Sequence, residues 1–322
     1  MNRVYAAVEA GGSKFRCAIG SGPDNIIEEI IIPTAGPEDT LGQAADFFRR
    51  WEGLPRLSQL PGDPRRGKRS REGVTRELAA LGIASFGPVD LRPHSPTYGH
   101  TTSTPKPGWA GTDIAGFFAD ALNVSVGFDT DVNGAAMGEA RWGAGQGRDN
   151  ILYLTVGTGI GGGALSGGRP VHGLMHPEMG HLRVPHDRTR DPFPGCCPYH
   201  GDCLEGLACG PAIEKRWGRP GAELADRDEV WDLEAEYLAA GIVNMVLVLS
   251  PEIVIIGGGV MGNEGLLPRV RRRAEELLGR YIAVEPLLSR MEEYIVPPGL
   301  GDRSGIAGAF VLAARALGDR GI

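Results

Sequence analysis

The chain has no apolar run long enough to cross a bilayer, and its first apolar run, Val4–Val8, is too short for a secretory h-region. These absences exclude a helical membrane span and lead us to expect a cytoplasmic protein with no membrane partner. The chain also lacks an excess of basic residues. Its 33 Lys and Arg face 40 Asp and Glu, a net charge of −7, whereas a nucleic-acid binder usually carries a basic footprint. No nucleic-acid partner is therefore expected. Cysteine is scarce, with five residues, and aromatics make up 7% of the chain. Three of those five cysteines lie within residues 196–203. Thiols clustered in this way, in a chain of enzyme size, read as metal ligands rather than as a disulfide framework. Glycine, in contrast, is abundant: 50 of 322 residues, grouped in short runs at the ends of apolar segments. At such places the backbone turns tightly or approaches a ligand. The length is sufficient for two domains, each with its own core.

The stretch from Glu178 to Glu205 holds the densest chemistry. It runs E-M-G-H, a polar loop, then C-C-P-Y-H-G-D-C-L-E. Cys197, His200 and Cys203 follow a C-x-x-H-x-x-C spacing, and His181 lies one loop upstream. Four N and S donors make a closed tetrahedral structural zinc site, with no position left open to water. The competing reading is a set of unrelated buried thiols and a core histidine. A zinc here would fix the loop that brings Glu178 and Glu205 towards one point.

Along the chain, residues 3–19 form two strand-like runs around Gly11, Gly12 and Ser13, a hairpin whose tip can turn backbone N–H groups to an anion. Lys14 adds a point charge, and Glu9 before the turn can hold a hydrated Mg²⁺. Thr40–Trp51 reads as an amphipathic helix. The Pro-, Gly- and Arg-rich stretch at about 53–73 has no periodicity and reads as a mobile surface loop. Within it Gly62, Gly67 and Lys68 imitate a phosphate-binding loop, but Arg69 replaces the Ser or Thr that would meet Mg²⁺. Leu81–Val89 is a buried strand, followed by T-S-T-P-K-P-G-W, where Lys106 and Trp109 either face a ligand or, for Trp109, cap the core. Val124–Asp131 is a strand leading into a helix, and Asp131 stands at the junction as either a helix N-cap or a general base. Ile151–Val156 is a buried strand followed by Gly157, Gly159 and Gly162. Their G-x-G-x-x-G spacing should open a helix in a dinucleotide site, yet A-L-S-G-G-R-P reads as a strand and turn. That excludes an NAD-dependent oxidoreductase. It also makes this a second Gly-tipped hairpin, so the chain looks like two similar halves facing one phosphate chain. Leu233–Ser250 is a long apolar helix. The following strand breaks at Gly257, Gly258 and Gly259, either in a plain turn or in close approach to a nucleobase or ribose.

Taken together, E-A-G-G-S-K-F, S-F-G-P-V-D, F-D-T-D-V-N-G-A-A, Y-L-T-V-G-T-G-I-G-G-G, G-L-M-H-P-E-M-G-H, C-P-Y-H-G-D-C-L-E-G and I-I-G-G-G-V-M resemble the ROK sugar-kinase family, and its fructokinase branch in particular. The resemblance covers nearly the whole chain except residues 53–73. It implies an α/β, actin/hexokinase-like (ribonuclease H-like) fold of two domains with an active-site cleft between them. We expect residues 1–124 with 304–322 in the first domain and 125–303, with the zinc loop, in the second. The resemblance puts the general base on Asp131 and sugar contacts on Glu178, His181 and Glu205, with Gly87, Lys106 and Trp109 beside them. His181, Cys197, His200 and Cys203 would hold Zn²⁺. The phosphate loops fall on Gly11–Lys14 and Thr155–Gly159, including Gly157 and Thr158. Nucleotide contacts fall on Gly210, Pro211 and Gly257–Gly259.

Two departures matter. Glu9 and Ser13 stand where most of the family has D-x-G-G-T-K, which changes their reach. The loop T-P-K-P-G-W lacks the Asn found in many glucose-phosphorylating members, which weighs against glucose. The chain starts directly at the first strand, without the helix-turn-helix of the family's repressors. The reaction implied is ATP- and Mg²⁺-dependent phosphorylation of D-fructose at its 6-hydroxyl by a homodimer. The alternatives are a glucose, mannose or N-acetylhexosamine kinase, or a non-catalytic sugar sensor.

Overall fold

The structure, a computed structural model, describes residues 3–51 and 77–318. The loop expected at about 53–73 lies outside the described residues. The chain divides into two compact units, residues 1–134 with 305–322, and residues 135–304.

The first unit is built on a five-stranded sheet of order β3-β2-β1-β4-β5. Its strands are β1 (Tyr5–Ala10), β2 (Lys14–Gly20), β3 (Ile26–Pro33), β4 (Ala80–Ser85) and β5 (Ser125–Thr130). The first three form an antiparallel meander, while β4 pairs parallel to β1 and β5 parallel to β4. All six residues of β4 are buried, as expected for a central parallel strand covered on both faces. Helix α1 (Pro37–Trp51) opens on Glu38 and Asp39 and closes on Arg49 and Arg50, charges that complement its dipole. It buries Leu41, Phe47, Phe48 and Trp51. Helix α2 (Ile114–Leu122) is capped by Asp113, whose side chain accepts from Gly116 N–H. Helix α3 (Asp131–Trp142) follows β5 directly.

The second unit repeats the plan with a sheet of order β10-β9-β6-β7-β8. Here β6 (Ile151–Val156) and β7 (Ile160–Ser166) form the hairpin, β8 (Arg169–Pro170) extends it, and β9 (Ile253–Gly257) runs parallel to β6. In both units a central strand turns back through a glycine tip and receives a parallel neighbour on its other side. The duplication expected from the sequence is thus present in the topology. Short helices α4 (Leu204–Ala208) and α5 (Gly210–Trp217) precede the 22-residue α6 (Asp228–Leu249), which packs with α7 (Leu266–Leu278). Two further short helices, α8 (Glu285–Ser289) and α9 (Met291–Tyr294), lead to β10 (Ile295–Val296).

The last helix, α10 (Ser304–Ala316), lies directly on the first sheet. A Cβ on Gly82 would come within 1.8 Å of Ala309 O, and one on Gly127 within 2.2 Å of Leu312 O. Glycine at these two strand positions is what lets the small-residue helix approach so closely. Among the described residues no helix is long and apolar enough to cross a membrane.

Candidate active site

The first glycine tip is held from three sides. Gly11 N–H donates to Lys14 O at 2.9 Å, Thr34 Oγ1 donates to Gly11 O at 2.8 Å, and Lys106 Nζ donates to Gly12 O at 2.7 Å. Lys106 also reaches Thr34 O at 3.2 Å. Its ammonium therefore braces the hairpin tip, a role that the sugar-contact expectation did not include. A Cβ on Gly12 would meet nothing within 4 Å, and Ser13 and Lys14 are exposed. The tip is thus open on its outer side. Glu9 lies on β1 opposite Arg16 of β2, with Arg16 Nε 3.9 Å from Glu9 Oε2 and 3.5 Å from Glu29 Oε1.

Trp109 needs correction as a ligand contact. It is fully buried, its Nε1 donates to Ala35 O at 2.8 Å, and its ring packs against Phe15 and Phe86 at centroid distances of 5.5 and 5.3 Å. A ring with its one donor satisfied and no open face is a core anchor. Gly87 lies just beyond β4, half-buried, in a cis peptide with Pro88.

Asp131 is the first residue of α3 and is half-buried. The N-cap of this helix is Thr130, because Asn133 N–H donates to Thr130 Oγ1 at 3.1 Å. Asp129 Oδ1 secures the corner by accepting from Thr130 N–H and Asn133 Nδ2, each at 2.8 Å. The Asp131 carboxylate, which takes the Val132 N–H at 2.9 Å, thus stands at a helix N-terminus, where the dipole favours negative charge. The sequence alone left the capping and base readings level, and the structure assigns the cap to Thr130.

In the second unit, Thr155 is the penultimate residue of β6, Gly157 N–H donates to Gly159 O at 2.8 Å, and Gly210 N–H donates to Gly157 O at 2.8 Å. The second glycine tip is therefore joined to the N-terminus of α5, where Pro211 occupies the first turn. Glu205 reaches the same tip, its Oε2 accepting from Ile160 N–H at 3.0 Å. Gly180, the glycine of E-M-G-H, would place a Cβ 1.9 Å from Ile160 O. So the turn that carries Glu178 and His181 rests on the backbone of the second glycine-tipped hairpin. Glu178 has 44% of its side-chain surface open, and His176 Nδ1 lies 3.6 Å from its Oε1. Burial, and secondly the charge of Glu205, push the Glu178 carboxyl up to about 7.

The three glycines at the end of β9 divide by cause. A Cβ on Gly257 would strike Pro298 Cγ at 2.6 Å, and one on Gly258 would come within 2.3 Å of Val156 O. Gly258 has φ +98° and ψ 166°, a region essentially reserved for glycine. Chain packing accounts for these two. Gly259 has open space around its Cβ position and alone of the three presents an unobstructed backbone.

His181, Cys197, His200 and Cys203 come together as the spacing anticipates, their donor atoms all within 4.8 Å of one another. His181 Nδ1 is 3.8 Å from Cys197 Sγ and 3.5 Å from Cys203 Sγ, and His200 Nδ1 is 3.6 Å from Cys197 Sγ. Tetrahedral zinc bonds of about 2.3 Å to sulfur and 2.0–2.1 Å to nitrogen make N···S edges of about 3.6 Å. The donor set and its spacing therefore fit a zinc ion. Cys196 stands outside this set, with its Sγ 3.7 Å from Cys209 Sγ.

Sequence reasoning missed Thr34 and Thr130 as supports of the tip and of Asp131. It also missed Glu139, a fully buried carboxylate that accepts from Ala144, Gly299 and Leu300 N–H and from Ser304 Oγ at 2.6–3.0 Å. Thr130 is a Ser/Thr-type capping signal beside Asp, whereas Thr34 donates to a carbonyl 23 residues away and has no local signal. Glu139 gives no sequence signal of its site, since only Ala144 is local and its other three donors lie about 160 residues away.

Comparison with known proteins agrees with this architecture. The pattern of the ROK family matches residues 68–316. A fructokinase of Zymomonas mobilis is 43% identical over 317 residues, covering 98% of this chain and 97% of its own. A fructokinase of Pediococcus pentosaceus is 39% identical, covering 98% and 99%. The crystal structure of a ROK hexokinase from Thermus thermophilus superposes with a TM-score of 0.73 at 26% identity, covering 98% and 99% of the two chains. Two α/β units with paired glycine-tipped hairpins are thus the actin/hexokinase-like fold, and the chain belongs to the ROK family.

Proposed function

We propose that the protein is an ATP-dependent fructokinase, transferring the γ-phosphoryl group to the 6-hydroxyl of D-fructose. The observation that carries this reading is similarity to fructokinases at about 40% identity along nearly the whole chain. In the reaction, the sugar oxygen forms a bond to the γ-phosphorus as the bond to the β-phosphate oxygen of ADP breaks. The hydroxyl proton passes to the Asp131 carboxylate. Little covalent chemistry falls to the protein, so catalysis rests on positioning and charge stabilisation.

In this reading Glu178 and Glu205 accept hydrogen bonds from sugar hydroxyls, joined by His181 and by the backbone near Gly87. The glycine tips at Gly11–Lys14 and Thr155–Gly159 offer N–H groups to the phosphates, with Gly210, Pro211 and Gly259 on the nucleotide side. Mg²⁺ bound with the nucleotide would neutralise phosphate charge, and a single carboxylate such as Glu9 suits an ion that keeps most of its waters. An ion reaching Glu9 would compete with the guanidinium of Arg16, 3.9 Å away. Zinc held by His181, Cys197, His200 and Cys203 would supply structure alone, because four protein donors leave no open coordination position. That Nδ1 of His181 faces both thiols leaves its Nε2 for the sugar. All five cysteines are unpaired, which suits a reducing cytoplasm, and we read the enzyme as a homodimer, the commonest closed assembly.

The assay is ADP release with fructose, using the wild type and Asp131→Asn. The variant should lose about 10²–10⁴-fold in kcat, the usual share of general-base catalysis, with fructose KM little changed. Near-normal turnover would remove Asp131 from this role.

A further inference from the structure

Between His181 and Cys203 lies a set of charged side chains that neither the proposed chemistry nor zinc ligation uses. Asp202, between the ligands His200 and Cys203, is its outer hub. Its Oδ1 accepts from Arg183 at 2.6 Å, and its Oδ2 accepts from Arg188 at 2.7 Å and faces His186 Nδ1 at 3.3 Å. The other ring nitrogen of His186 lies 2.9 Å from Asp191 O. The Asp191 carboxylate in turn accepts from Tyr237 OH of α6 at 2.7 Å, and Arg216 of α5 approaches each of its oxygens at 3.2 Å. The guanidinium of Arg216 stacks on Phe193, 4.6 Å from the ring centroid.

Burial separates the members that matter from those that do not. The side chains of Arg183 and Arg188 are 62% and 66% exposed, and ion pairs so exposed contribute little. The side chains of His186, Asp191 and Arg216 are 4–6% exposed. Buried polar groups of this kind are costly unless satisfied, and they tolerate few alternative arrangements. The chain Asp202–His186–Asp191–Tyr237 is therefore a fixed strut from the ligand-bearing turn to the core helices α5 and α6.

We propose that His186 is a positioning residue, fastening the turn that carries His200 and Cys203 to α5 and α6 independently of any metal. This rests on the proposed function only in the consequence it draws for the sugar, because the same turn is hydrogen-bonded to the segment after His181 through Leu204 N–H and Leu182 O at 2.9 Å.

The test is hydrogen exchange at the amides of Cys197, Gly201 and Leu204 in protein stripped of zinc by a chelator. These N–H groups bond to Gly201 O, Cys197 O and Leu182 O, so they report closure of the turn without metal or substrate. In the chelated wild type they should stay protected. In chelated His186→Phe, which keeps ring packing against Tyr237, they should exchange at least about tenfold faster, the loss expected for a hydrogen bond to a charged group. Exchange within α6 should not change. With zinc restored, the variant should raise the KM for fructose about tenfold and leave the KM for MgATP unchanged. If His186→Phe does not fold, His186→Gln, which reaches Asp191 O but not Asp202, should lose protection at the same three amides. Equal exchange in wild type and variant would overturn the proposal, as would loss of protection on chelating the wild type. Failure of the wild type to phosphorylate fructose would refute the proposed function and leave the exchange result standing.

Discussion

The carboxyl of Glu178 gives the proposed sugar site a distinctive pH signature. Burial and the charge of Glu205 push it up to about 7. As a hydroxyl acceptor Glu178 works in its ionised form, so fructose should bind best above that value and progressively less well as pH falls through it. For one group titrating near 7, the ionised fraction is about ten-elevenths at pH 8 and about one-eleventh at pH 6. The KM for fructose should therefore rise about tenfold between those values. Stability should run the other way. A carboxyl with its folded-state pKa raised contributes stability that is fully present below its unfolded value and is lost as pH rises through about 7. The assay is coupled ADP release with fructose varied at each pH, for the wild type, Glu178→Gln and Glu205→Gln. Glu178→Gln should have a higher, flatter KM profile. Glu205→Gln removes the secondary cause of the shift and should move the inflection to lower pH. An unchanged wild-type slope in Glu178→Gln would refute the reasoning, since the titrating group would then lie elsewhere.

Other consequences follow from the glycine corner and from the donor cluster. Gly258→Ala puts a Cβ 2.3 Å from Val156 O at φ +98°. It should cost about 3 kcal/mol or more from backbone strain and overlap together; a denaturant midpoint equal to wild type would contradict that account. Metal analysis of the purified protein should find about one zinc per chain, lost in Cys203→Ala. A chain free of metal and unaffected by chelators would rule out the ion.

What could be read from the sequence was local. Each hairpin is a pair of apolar runs around glycines, so β1–β2 and β6–β7 were legible, as was the absence of a helix after Gly162. The Cys/His donor cluster was legible because three of its members lie within seven residues. The parallel pairing of β1 with β4 and of β6 with β9 has no local signal; it came only through the family resemblance. Trp109 shows the limit clearly: a tryptophan in a Pro- and Gly-rich loop reads equally as a ligand contact or a cap on the core, and Ala35, 74 residues away, decides by taking its N–H. Gly258 likewise reads as either a turn or a ligand glycine until the backbone of Val156 is found against it. Lys106, Glu139, His186 and Asp191 find their partners through tertiary structure, which periodicity and spacing do not encode. β3 escaped notice because its sequence, I-I-E-E-I-I-I-P, places Glu28 and Glu29 side by side and breaks the period-two alternation of a strand.

The central claim is tested most directly by kcat/KM for fructose, glucose, mannose and N-acetylated hexoses with MgATP at matched concentrations. The account predicts turnover with fructose at the highest kcat/KM of the series. A higher value for any other hexose, or binding of fructose without release of ADP, would contradict it.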